Sequence, residues 1–147
     1  MSMNILSSLL NFIGGKISDF DARITALRDD FDSHVALSNL TISRVISTTY
    51  MTDAQFNALR ARKKNGMLYL NFNADFTSAG YSTSDFTTIG TISGWSSVYD
   101  TYITIPKQTD STKLLIVEVT LNGEIRVYST STITGRYRGY FCVPSRV

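Results

Sequence analysis

Val117-Glu118-Val119-Thr120-Leu121-Asn122-Gly123-Glu124-Ile125-Arg126-Val127 alternates apolar and polar residues on both sides of a turn signal, the pattern of two half-buried strands joined by a hairpin. A two-residue Asn122-Gly123 loop would set Val119 opposite Arg126 and Glu118 opposite Val127, which mixes the faces. A three-residue loop, Leu121-Asn122-Gly123 with Gly123 left-handed, pairs Val119 with Ile125 and Val117 with Val127 on one face and Glu118 with Arg126 on the other. This second register is the expected one, with the apolar pairs inward. The outward Glu118–Arg126 pair, worth about 0.2–1 kcal/mol, reads as structural rather than catalytic.

The two-residue period extends on either side of the hairpin, in runs bounded by Gly, Pro, Asn, Asp and Ser. Strands are expected near residues 67–75, 86–92, 99–105, 113–121, 124–129 and 136–143. Without intervening helices they imply antiparallel pairing, and the fold class is a mainly β chain whose head is an antiparallel, jelly-roll-like β-sandwich.

Ahead of this region the period changes. Met3, Leu6, Leu10, Ile13, Ile17, Phe20, Ile24, Leu27 and Phe31 recur at alternating steps of three and four, the a/d seam of a coiled coil, with His34 at the next d position. The strict 3.5-residue period and the lack of a third apolar column favour a self-associating seam over a stripe packed on the β-domain. Gly14-Gly15 cost about 2 kcal/mol of helix propensity together, so a break is expected between an anchor at residues 2–13 and a shaft from residue 16 to about 38. Asp19, Asp21, Arg23, Arg28, Asp29, Asp30 and Asp32 form the solvated face of the shaft. After a connector at residues 38–50, Thr52-Asp53-Ala54-Gln55 reads as a capping box. It opens a short helix over residues 52–64, with Phe56 and Leu59 on its apolar face, Arg60, Arg62, Lys63 and Lys64 in its last turn and Asn65-Gly66 as terminator.

A chain of 147 residues holds one domain of ordinary size plus an appendage. Fourteen basic residues against twelve acidic ones give a net charge of +2, a poor balance for a nucleic-acid partner. No apolar run approaches the roughly 20 residues of a membrane span, so no membrane insertion is expected. Met-Ser-Met-Asn lacks the basic start of an export signal. One cysteine, Cys142, excludes an intrachain disulfide.

The sole histidine, His34, lies far in sequence from Cys142, which argues against a Ser-His or Cys-His nucleophile. One His and one Cys make no zinc site, and the helical Asp pairs point in different directions, so neither metal nor cofactor is expected. The glycines fit neither nucleotide-binding fingerprint. Nothing pairs two carboxylates for glycoside hydrolysis, and the expectation is a protein that is not an enzyme.

Aromatic residues among polar neighbours remain: Trp95 in Ser93-Gly94-Trp95-Ser96-Ser97, then Tyr81, Tyr99, Tyr102, Tyr128, Tyr137 and Tyr140. Such residues form sugar-stacking platforms and interface hot spots. Trp95, Tyr99, Tyr128, Arg136 and Tyr137 are the candidate receptor contacts, Arg136 and Arg138, which flank Tyr137, being suited to acidic glycans or to closing a subunit interface. For Trp95 the competing reading is packing over the end of the sandwich or between subunits.

Four pieces in order, Asn65-Gly66-Met67-Leu68-Tyr69-Leu70-Asn71-Phe72, Thr88-Ile89-Gly90-Thr91-Ile92-Ser93-Gly94-Trp95, Leu121-Asn122-Gly123-Glu124-Ile125-Arg126-Val127-Tyr128 and Tyr137-Arg138-Gly139-Tyr140-Phe141, resemble the C-terminal head domain of bacteriophage fibre and receptor-binding proteins. The likeness covers residues 65–143; Trp95-Ser96-Ser97-Val98-Tyr99 lacks the Pro-containing segment frequent in that family. The resemblance implies a homotrimer on the virion surface, made in the host cytoplasm. It implies a virion-attachment segment at residues 1–15 (Leu6, Leu10, Ile13) that binds another virion protein. A coiled-coil stem and connector would follow at 16–50 (Ile17, Phe20, Ile24, Leu27, Phe31, His34), then a head at 51–147 that binds a host-surface glycan or protein. A head fibre or a collar or capsid decoration protein has the same plan, as has a cellular trimeric ligand; a glycan depolymerase fits less well.

Overall fold

The structure is a computed structural model that describes the backbone of residues 2–35 and 37–144. The chain divides into two compact units, Met1–Ala36 and Leu37–Val147.

The first unit is one helix, α1 (Ser2–Val35). The break expected at Gly14-Gly15 does not occur. Neither glycine takes the left-handed φ that would turn the chain out of the helix, as Gly66 and Gly94 do elsewhere. Two right-handed glycines cost about 2 kcal/mol together, whereas ending one helix and nucleating another forfeits several hydrogen bonds.

The second unit contains β1 (Ser38–Leu40), β2 (Ile42–Arg44), the one-turn helix α2 (Asp53–Phe56), β3 (Arg60–Lys64), β4 (Met67–Tyr81), β5 (Thr87–Ile92), β6 (Thr101–Lys107), β7 (Asp110–Val119), β8 (Glu124–Tyr128) and β9 (Ile133–Pro144). All nine strands form one antiparallel sheet in the order β1-β3-β4-β9-β6-β7-β8-β5-β2. The expected sandwich is therefore corrected to a single rolled sheet. Its two edges, β1 and β2, are consecutive in the chain: β1 pairs with β3, β2 pairs with β5, and Thr41 alone lies between them. Residues 38–44, read from sequence as part of a connector, thus clasp the opposite ends of the sheet and nearly close a barrel. The Thr41 carbonyl accepts the Ser93 N–H at 2.9 Å where the clasp crosses over.

Long strands make this curl possible. β4 and β9 run 15 and 12 residues, and the register shifts between Phe76 and Tyr81 and, on β5, between Thr88 and Gly90 bend the sheet. Alternate residues of β4, namely Leu68, Leu70, Phe72, Ala74 and Phe76, point into the core, joined by Leu115, Val117 and Val119 of β7, Ile125 and Val127 of β8 and Tyr137, Phe141 and Val143 of β9. Gly139 of β9 lets β6 come close, because a Cβ there would lie 2.6 Å from Ile105 Cδ1.

The central hairpin has the expected register, with Val117 opposite Val127, Val119 opposite Ile125 and Glu118 opposite Arg126. Gly123 takes φ +79° in the loop, and Arg126 Nη1 lies 3.0 Å from Glu118 Oε2. Each of the six expected strands overlaps an observed one.

The helix expected over residues 52–64 lasts only one turn. Its capping box is as read, with the Gln55 N–H on Thr52 Oγ1 at 3.3 Å and the Thr52 N–H on Gln55 Oε1 at 2.8 Å, and Phe56 and Leu59 are buried. Arg60–Lys64 is instead a strand. Asn65 and Gly66 both take positive φ, +53° and +68°, as a two-residue type I′ hairpin requires, and Lys64 pairs with Met67 across it.

Candidate functional site

Two surfaces stand out. The first is the seam of α1. In the single chain Met3, Leu6, Leu10, Ile13, Ile17, Phe20, Ile24, Leu27 and Phe31 are all 40–80% exposed. Ile5, Leu9 and Phe12 are exposed as well, so the first third of the helix does carry further apolar residues beside the seam, whereas the shaft carries the a/d pair alone. The side chain of His34, the last expected seam position, lies outside the described residues.

The second surface lies on the barrel. Strand alternation that sends Ala61, Leu68, Leu70 and Phe141 inward sends Arg60, Arg62 and Lys64 of β3, Tyr69 and Asn71 of β4, and Tyr140 of β9 outward. Register sets Arg62 beside Tyr69, Arg60 beside Asn71 and Asn71 beside Tyr140. These residues, with Leu37, line a concavity of about 560 Å³. The sequence reads the basic cluster as a solvated helix end in preference to a contact with nucleic acid or an anionic surface, and so does not set it on a strand beside Tyr69 and Tyr140. The signal was present in the Asn-Gly pair, which joins strands in hairpins as readily as it ends helices.

The expected receptor contacts are not brought together. Trp95 is buried, because Ile92 N–H donates to the Gly123 carbonyl (2.8 Å) and Ser97 N–H to the Leu121 carbonyl (3.0 Å), folding the intervening turn onto the central hairpin loop. Tyr137 is also buried, facing inward edge-on to Phe76 with ring centroids 6.1 Å apart. Both are corrected from contact to core. Burial pushes the Tyr137 hydroxyl above its ordinary range, and that of Tyr81 likewise. The Trp95 indole N–H and the Tyr137 hydroxyl have no hydrogen-bond partner among the described residues.

Tyr99 is exposed just ahead of β6, while Tyr128 of β8 is half-buried and tilted against Phe86 at 5.7 Å. Arg136 is exposed on β9 and ion-paired with Asp75 at 3.1 Å. β6 and β7 separate the strands of Arg136 and Tyr128.

A structural arginine also escaped sequence reading. Arg44 donates to the carbonyls of Met51 (2.6 Å) and Thr52 (2.9 Å), pairs with Asp53 (3.2 Å) and lies over the Phe56 ring, tying the end of the clasp to α2.

Charge divides unevenly between the units. Three basic and five acidic residues give residues 1–36 a net −2, and eleven basic against seven acidic give residues 37–147 a net +4. Among the described residues no three His, Cys, Asp or Glu side chains cluster as a metal site, and no helix is long and apolar enough to cross a membrane.

No protein family, curated protein or solved structure matches the chain.

Proposed function

We propose that the chain is a non-enzymatic, homotrimeric attachment protein of the bacteriophage fibre or spike class. In this reading α1 is a coiled-coil stem, its first turns fix the trimer to another virion protein, and the barrel is the head that binds a host-surface receptor. The observation that carries it is the exposed seam. Nine large apolar side chains spaced by threes and fours along an unbroken helix have no partner within their own helix, and each contributes about 1.5–3 kcal/mol when buried. The seam carries both Leu10 (a) with Ile13 (d), a pair of three- and four-stranded coils, and Ile24 (a) with Leu27 (d), a pair of two-stranded ones, so the number three comes from the resemblance to phage fibres and not from the seam. The extra apolar residues Ile5, Leu9 and Phe12 suit a segment that meets a different protein from the one the shaft meets.

Light scattering on the full chain over a hundredfold concentration range tests this. Three times the chain mass supports the stem; a single chain mass at every concentration removes it, and the fibre reading with it.

A further inference from the structure

We infer that the outward face of β3, β4 and β9 binds an acidic polysaccharide, a chain of sugar rings carrying carboxylate or sulfate groups. The inference rests on the proposed reading only in taking the barrel as the ligand-binding part, and needs neither trimer nor virion.

Charge comes first. Arg60, Arg62 and Lys64 occupy alternate positions of one strand, so their side chains leave the same face about 6.6 Å apart. None of the three makes an ion pair or a side-chain hydrogen bond among the described residues. The other described arginines of the barrel all have partners: Arg44, Arg126 and Arg136 are ion-paired, and Arg138 donates to Asn73. A row of bare like charges is repulsive, and an anion relieves it.

The rest of the face selects what kind of anion. Tyr69 and Tyr140 are 42% and 78% exposed, and Asn71 lies between them in the register. A sugar ring lays its C–H face on a tyrosine, offers hydroxyls to the Asn71 amide and presents its acid group to a guanidinium fork. Nucleic-acid affinity comes largely from neutralising phosphates, and three cations without partners among the described residues make a small footprint for it.

The test uses the full chain on immobilised polygalacturonate (carboxylate), dextran sulfate (sulfate), neutral dextran and oligo(dT). Binding to polygalacturonate or dextran sulfate at least tenfold tighter than to dextran is expected, and the two acidic probes tell carboxylate from sulfate. Arg60→Gln with Arg62→Gln, and separately Tyr69→Ala with Tyr140→Ala, should each weaken it tenfold or more with unchanged circular dichroism. Lys113→Gln with Tyr102→Ala, on another part of the barrel, should change it less than twofold.

Four results of the binding assay overturn the inference: no binding to either acidic polysaccharide, equal loss in the control variant, indifference to the tyrosines, or tighter binding to oligo(dT). Light scattering on the same samples separates the two readings. Face variants that change the assembly mass make this face a subunit contact and overturn the inference. A monomeric parent that still binds upholds it while removing the stem.

Discussion

Helix and barrel dispose of their apolar residues in opposite ways. In α1, Ile17, Phe20, Ile24, Leu27 and Phe31 stay exposed in the single chain, while in β4 Leu68, Leu70, Phe72, Ala74 and Phe76 are enclosed by neighbouring strands. A two-residue period can be satisfied by rolling a sheet onto itself. A 3.5-residue period on a lone helix needs another helix, because most of a helix's stability comes from packing its apolar face. The barrel's stability should accordingly be a property of the chain, and that of the helix a property of concentration.

The largest expected effect breaks that contrast at the helix. Phe20→Asp with Leu27→Asp should hold the chain monomeric at every concentration and abolish most of the helical circular-dichroism signal of α1, yet leave the barrel's melting temperature within a few degrees. Loss of both transitions together would mean that the barrel depends on α1. Next, Phe72→Ala, inside the barrel, should cost about 3–5 kcal/mol in denaturant unfolding of the barrel while the assembly mass is unchanged.

Gly123→Ala should cost about 2 kcal/mol, since Gly123 has φ +79° and a Cβ would lie 2.9 Å from the Ile92 carbonyl oxygen. The smallest effect has the opposite sign. Tyr137→Phe removes a buried hydroxyl without a partner among the described residues and should stabilise the barrel by about 1 kcal/mol at pH 7. Because burial raises the folded-state pKa of Tyr137 above the ordinary 10.0, its neutral form is the one the fold prefers. Barrel stability is then full below pH 10 and falls as pH rises beyond it. Thermal melts between pH 7 and 11 should show that fall reduced, with Tyr81 supplying what remains, in Tyr137→Phe.

What could be read beforehand followed from local chemistry. The register of the central hairpin is fixed by which faces match, the capping box by two side chains three residues apart, and the a/d seam by its spacing. Strands β1 and β2, three residues each, carry no alternation to read; they exist because distant edges at Arg60–Lys64 and Thr87–Ile92 accept their hydrogen bonds. β3 is four-fifths charged and resembles no half-buried strand, and only its partners β1 and β4 make it one. The basic and aromatic face was hidden for the same reason. Tyr140 was visible as an aromatic, but its place beside Asn71 comes from a pairing 69 residues apart in the chain. Trp95, aromatic in a Gly/Ser turn, suits both an exposed platform and a packed position by sequence, and its burial comes from backbone bonds to the hairpin loop at residues 121–123.

The clasp at residues 38–44 has a consequence for the order of events during synthesis. It leaves the ribosome before every edge it will join, and the segments it bridges, residues 60–64 and 90–92, belong to a sheet whose longest ladder, β4 with β9, is finished only when residues 133–144 are made. At about 5–20 residues per second, the clasp waits several seconds with its hydrogen-bonding groups unmatched. Pairings this distant in sequence make closure slow. The clasp's brevity then protects the nascent chain, since three-residue strands on either side of Thr41 offer little template to a neighbouring molecule before their own edges arrive.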